Sequence, residues 1–146
     1  MIPLLVLFVS LLVFRGLGFL GVPLFLTWHD SALWALSVMV LFTASAHFTA
    51  LKEDLIKMVP KPFPCPRQIV FVTGILEILG AIGLLIPQVR TAAGICLALL
   101  FVAMFPANIK AALGQVPLRG RPATPLWLRL PMQVLFVALA VWSALG

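Results

Sequence analysis

The sequence predicts an all-α integral membrane bundle of five spans, and three observations carry that prediction. Hydrophobic residues make up 63% of the chain, well above the roughly 45–50% of soluble domains. Charged residues make up only 10%, and they gather between apolar runs. Five such runs, at about 3–26, 31–51, 68–86, 91–111 and 126–145, approach or exceed the roughly 20 residues a helix needs to cross a bilayer's hydrocarbon core. A chain of 146 residues then reads as a single helical domain.

The first span, Pro3 to about Leu26, is apolar apart from Ser10 and Arg15 and is loosened by Gly16, Gly18, Gly21 and Pro23. It has no basic segment before it and no small-residue cleavage site after it, so it reads as retained. Thr27-Trp-His-Asp30 reads as a polar turn, and Ser31 to Leu51 as the second span, with His47 near its end. The next stretch breaks the pattern. Leu51, Leu55, Met58 and Val59 fall on one side of a short helix and Glu53 and Lys57 on the other, as in a segment lying in the membrane interface. Pro60, Pro62, Pro64 and Pro66 follow and keep the chain extended.

The third span closes at Pro87 and carries one carboxylate, Glu77, among Gly74, Gly80, Ala81 and Gly83. These small residues allow a neighbouring helix to come close, and the third span reads as the central helix of the bundle. The fourth span contains Phe105-Pro-Ala-Asn108, where Pro106 bends the helix and frees a carbonyl one turn earlier. After a Gly, Pro and Arg loop, the fifth span opens with Trp127, Arg129, Pro131 and Gln133 in its first turns.

Eight of the ten basic residues, Lys52, Lys57, Lys61, Arg67, Lys110, Arg119, Arg121 and Arg129, fall on the side of the N-terminus. The positive-inside rule makes that side, and the N-terminus with it, cytoplasmic. The net charge of +6 therefore reads as orientation signal and contact with lipid headgroups, and not as a nucleic-acid surface. Cys65 and Cys96 lie too far apart for a CxxC motif or a zinc site. Met39, Met104 and Met132 read as packing residues, so no metal site is expected.

Ionisable groups within apolar spans are the candidate functional residues, because a charge there needs a partner, a proton or water. Helix rise places Arg15 roughly 18 Å and Glu77 roughly 13 Å from the inner face. These depths predict an Arg15–Glu77 pair between the first and third spans, either locking the bundle or lining a cavity for a polar ligand group or a moving proton. A second polar set, His47, Asn108, Arg129 and Gln133, gathers near the inner face from three spans. It reads either as helix-to-helix hydrogen bonding or as a cytoplasm-facing pocket in which His47 exchanges a proton near neutral pH.

Ala46-His-Phe48, the run from Thr73 to Gly80 and on to Pro87, Phe105-Pro-Ala-Asn108 and Pro125-Leu-Trp-Leu-Arg129 together resemble the DoxX-like membrane proteins of bacteria, over about residues 40–140. The resemblance implies a four-helix core made of spans two to five, with the first span added. It also implies residence in the inner membrane, and it puts His47 and Glu77 at that family's first-helix His and second-helix Glu. Such proteins look like small membrane partners of oxidoreductases, including quinone-linked ones. The expectation is a bundle, not catalytic alone, that binds a quinone or lipid or serves an oxidoreductase, with Arg15 and Glu77 holding the polar part. The alternatives are an enzyme acting on a lipophilic substrate with Glu77 or His47 as acid or base, and a structural subunit whose buried charges only fix helix order.

Overall fold

The computed structural model describes residues 2–114, 116–117, 120, 122 and 124–146. Arg119 and Arg121 of the basic loop lie outside the described residues. Among the described residues six α-helices follow in order: α1 (Ile2–Phe19), α2 (Trp28–Ser45), α3 (Lys52–Met58), α4 (Pro66–Leu85), α5 (Arg90–Leu113) and α6 (Leu126–Leu145). Short 3-10 turns cover Pro23–Phe25 and Ala46–Phe48, and no strand occurs among the described residues. All but α3 are long and apolar enough to cross a membrane.

α2, α4, α5 and α6 close a ring, each packed on the next and α6 returning to α2, while α1 lies outside the ring against α2. Four helices thus form the ring and the first is added against it, with Leu7 of α1 buried in the same core. The central helix is a different one from that expected. α2 touches α1, α4 and α6 and buries nine side chains from Ser31 to Ala44, whereas the Glu77 helix, α4, is one wall of the ring. The core joins Leu36, Met39 and Val40 of α2 to Ala81 and Leu84 of α4, Leu97 and Phe101 of α5 and Ala140 of α6. The outer faces stay apolar: Leu5, Phe8 and Leu12 of α1, Ile75 and Leu79 of α4, Leu99 and Val102 of α5 and Val134 of α6 are all exposed. Such a belt is far larger than soluble monomers expose and suits hydrocarbon as solvent.

The first helix ends at Phe19, seven residues before the expected Leu26. Gly21 takes a left-handed φ of 89°, which favours glycine, and Pro23 then starts the 3-10 turn. The supposed turn at Thr27 is instead the start of α2. Thr27 Oγ1 accepts from the Asp30 backbone N–H at 3.0 Å and donates to the Asp30 carboxylate at 2.6 Å, an N-terminal cap of the kind that stabilises a helix start by about 1 kcal/mol. α3 packs as its pattern predicts, with Met58 buried and Glu53 and Lys57 exposed. Its C-terminal carbonyls at Lys57 and Val59 both accept from Lys110 Nζ. This cation caps the helix end and ties it to the last turn of α5.

Candidate functional site

Three residues of α4, Val70, Thr73 and Glu77, recur at helical spacing on the face turned to the end of α2. There the chain tightens from α-helix into the 3-10 turn Ala46–Phe48, which swings His47 toward α4. A Cβ on Gly74 would stand 2.5 Å from His47 Cβ, so glycine at 74 is what lets the turn sit down on the helix. His47 and Glu77 are both buried, at 8% and 4% exposure.

His47 Nδ1 lies 2.6 Å from the Val70 carbonyl oxygen. A carbonyl only accepts, so Nδ1 carries a hydrogen and the tautomer follows from its partner. Thr73 Oγ1, which donates to the Ile69 or Val70 carbonyl, lies 3.4 Å from the same nitrogen. The other ring nitrogen, Nε2, faces Glu77 Oε2 at 3.6 Å. Oε2 is buried and has no hydrogen-bond partner among the described residues.

Between them Nε2 and Oε2 are suited to hold one proton. With one, the site is either a carboxylic acid facing a neutral imidazole or a carboxylate facing an imidazolium, and both forms have zero net charge. Removing that proton leaves a buried carboxylate, and adding another leaves a buried cation; an uncompensated charge in such a place costs several kcal/mol. Titration of one residue therefore belongs to the pair.

The expected Arg15–Glu77 pair does not form. Matching depth was the basis for that expectation, but α1 packs on α2, which stands between it and α4. Because α1 ends early, Arg15 lies one turn from its end. Its Nη1 donates to the Phe25 carbonyl at 3.4 Å, and the guanidinium sits 3.9 Å from the centre of the Phe19 ring and 5.2 Å from that of Trp28. Its charge is balanced by aromatic faces and a carbonyl.

The expected inner polar set also divides. His47 leaves it for Glu77, and the other three form a chain between α5 and α6. Arg129 donates through Nε to the Thr124 carbonyl at 2.9 Å and through Nη1 to Asn108 Oδ1 at 3.0 Å. Asn108 Nδ2 donates to Gln133 Oε1 at 3.4 Å, and Gln133 Nε2 donates to the Phe101 carbonyl. These bonds bridge the stretches that carry the helix-interior prolines Pro106 and Pro131, where backbone bonding is weakest. They join protein to protein, as polar groups between membrane helices do.

Sequence reasoning missed the cap that Lys110 supplies to α3 and the contact between Gly74 and His47. The cap links residues 51 and more apart, and no local pattern announces it. Glycine eight residues after Pro66 and three before the buried acid was a visible sign of close approach, but it did not name the neighbour.

No curated protein and no solved structure gives a significant match to the chain. A family model matches residues 36–144, a range that contains His47, Glu77, Asn108, Arg129 and Gln133 and leaves out Arg15. On that match the chain belongs to the family described as a domain of unknown function, DUF8561.

Proposed function

We propose that the protein is a DoxX-like multi-pass subunit of a bacterial plasma membrane that binds a lipophilic molecule with a hydrogen-bonding head group, of the quinone class, at the His47–Glu77 pair, and so serves an oxidoreductase. The observation that carries this reading is the unspent hydrogen-bonding capacity of Glu77 Oε2, a buried atom without a partner among the described residues that faces His47 Nε2 at 3.6 Å within an apolar bundle. A quinone carbonyl accepts the pair's proton, and a quinol hydroxyl donates to the carboxylate, so one site accommodates both redox forms. The isoprenoid or acyl tail would lie along the apolar outer faces. Entry passes Phe48, which is exposed, follows His47 in the chain and rests edge-on against Phe71.

A second reading, a structural lock, is favoured by the tight seating of His47 on Gly74. Native mass spectrometry of the gently solubilised protein separates the two. The ligand reading expects a quinone or similar lipid to travel with the wild type and to be lost from Glu77→Gln while the melting temperature stays within a few degrees. A large fall in stability with no difference in bound ligand supports the lock instead and removes the ligand reading.

A further inference from the structure

A groove of about 600 Å³ opens on the side of the N-terminus, where α3 begins and α4 enters the apolar belt. Its floor is apolar, with Phe71 and Val72 both exposed. Lys52, Arg67 and Gln68 line it with cationic and amide donors, beside Cys65 and Pro66. No salt bridge or hydrogen bond engages the Lys52 ammonium among the described residues. Arg67 meets Glu53 through one guanidinium nitrogen at 3.3 Å, with both side chains largely exposed. A surface pair of this kind is weak and leaves the other guanidinium hydrogens for a further acceptor. Counting Lys52, Arg67 and Glu53, the rim keeps one net positive charge. The first turn of α4 adds to it, since Cys65 provides no side-chain cap and the helix dipole is positive there.

From this charge pattern above an apolar floor we propose that the groove binds one anionic glycerophospholipid of the surrounding leaflet. Its phosphate lies between Lys52 and Arg67 within reach of the Gln68 amide, and an acyl chain runs down over Phe71 and Val72. A free phosphate would use the basic rim but leave the aromatic floor uncovered, and a zwitterionic lipid would bring its own cation to the lysine. A span that begins at the level of two basic side chains is placed where headgroups sit, and a basic residue near an anionic leaflet contributes about 1 kcal/mol, roughly fivefold in affinity. The inference shares Phe71 with the proposed entry past Phe48 but uses neither His47 nor Glu77, so it does not rest on the reading of that pair.

The test is native mass spectrometry of protein released from nanodiscs of mixed phosphatidylglycerol and phosphatidylcholine. The wild type is expected to retain one phosphatidylglycerol in preference to phosphatidylcholine. Lys52→Gln with Arg67→Gln is expected to lower that retention roughly 5- to 25-fold. Lys61→Gln, exposed and outside the groove, is expected to leave it unchanged. Equal retention of the two lipids, or no loss in the double variant, overturns the proposal.

If the double variant fails to fold, labelling by a soluble maleimide gives the answer in otherwise native protein. A single thiol at Cys65, with Cys96 replaced by serine, is expected to react several-fold more slowly in phosphatidylglycerol than in phosphatidylcholine nanodiscs. A single thiol introduced by Lys61→Cys, with both native cysteines replaced, senses the same surface and is expected to slow much less. Equal slowing of the two thiols overturns the proposal. So does protection of Cys65 by inorganic phosphate alone, which would assign the groove to a soluble anion.

Discussion

Gly74 lies beneath His47 at a separation that leaves no room for a methyl group: a Cβ there would stand 2.5 Å from His47 Cβ and 2.8 Å from Cγ. That closeness lets one imidazole reach two groups of the same helix, the Val70 carbonyl through one nitrogen and the Glu77 carboxyl through the other. Any increase in the spacing between α4 and the turn after α2 separates all three.

Gly74→Ala is therefore expected to destabilise the bundle by about 1–3 kcal/mol, the usual cost of overpacking a tight contact. Gly16→Ala is the control, since a Cβ there meets nothing within 4 Å and alanine is the better helix former; it is expected to be neutral or slightly stabilising. Reversible unfolding in mixed detergent micelles measures both. A neutral Gly74→Ala would show that the contact yields freely.

Replacing either member of the buried pair strands the other. His47→Leu and Glu77→Leu are each expected to cost about 1–3 kcal/mol through the polar group left behind. The double replacement is expected to cost less than the two together, with a coupling above about 0.5 kcal/mol. Strict additivity in the four-variant cycle would mean that the two side chains do not interact.

Arg15→Met is expected to loosen the junction of α1 with α2, where the guanidinium meets Phe19, Trp28 and the Phe25 carbonyl. The emission of Trp28 is expected to shift. Combined with Glu77→Gln, its effect on stability is expected to add within about 0.5 kcal/mol, as for separate sites. A larger coupling would restore the arginine as partner of the acid.

Lys110→Met removes the cation that caps α3. Amides of residues 52–58 are expected to exchange with deuterium faster, while global stability falls by only about 1 kcal/mol, because a seven-residue helix holds its shape through tertiary contacts and not through propensity. Unchanged exchange in that segment would assign its order to the burial of Met58 alone.

Hydropathy made the five long helices legible, and the resemblance of residues 40–140 implied that the first stood apart from the other four. His47 and Glu77 were both legible as ionisable groups out of place in apolar runs. Their pairing was not. Depth along a helix follows from counting residues, but two groups at one level meet only if their helices are neighbours, and the neighbours of α4 are set by the packing of the whole ring. The early end of α1 and the true start of α2 were written locally, in Gly21, Pro23 and the Thr27–Asp30 spacing. A run of apolar residues outweighed those signals. The groove beside α4 left no sequence pattern, since Lys52 and Arg67 reach it from two different helices.

The outlying position of α1 bears on how the molecule comes apart. A ring of four helices stays joined when one contact fails and separates only when two do, whereas α1, which packs mainly on α2, is released by one failure. Detachment of α1 from α2 would part Arg15 and Phe19 from Trp28 of α2 and from the Phe25 carbonyl. His47 and Glu77, which join the turn after α2 to α4, lie away from that seam and depend on the α2–α4 side of the ring alone.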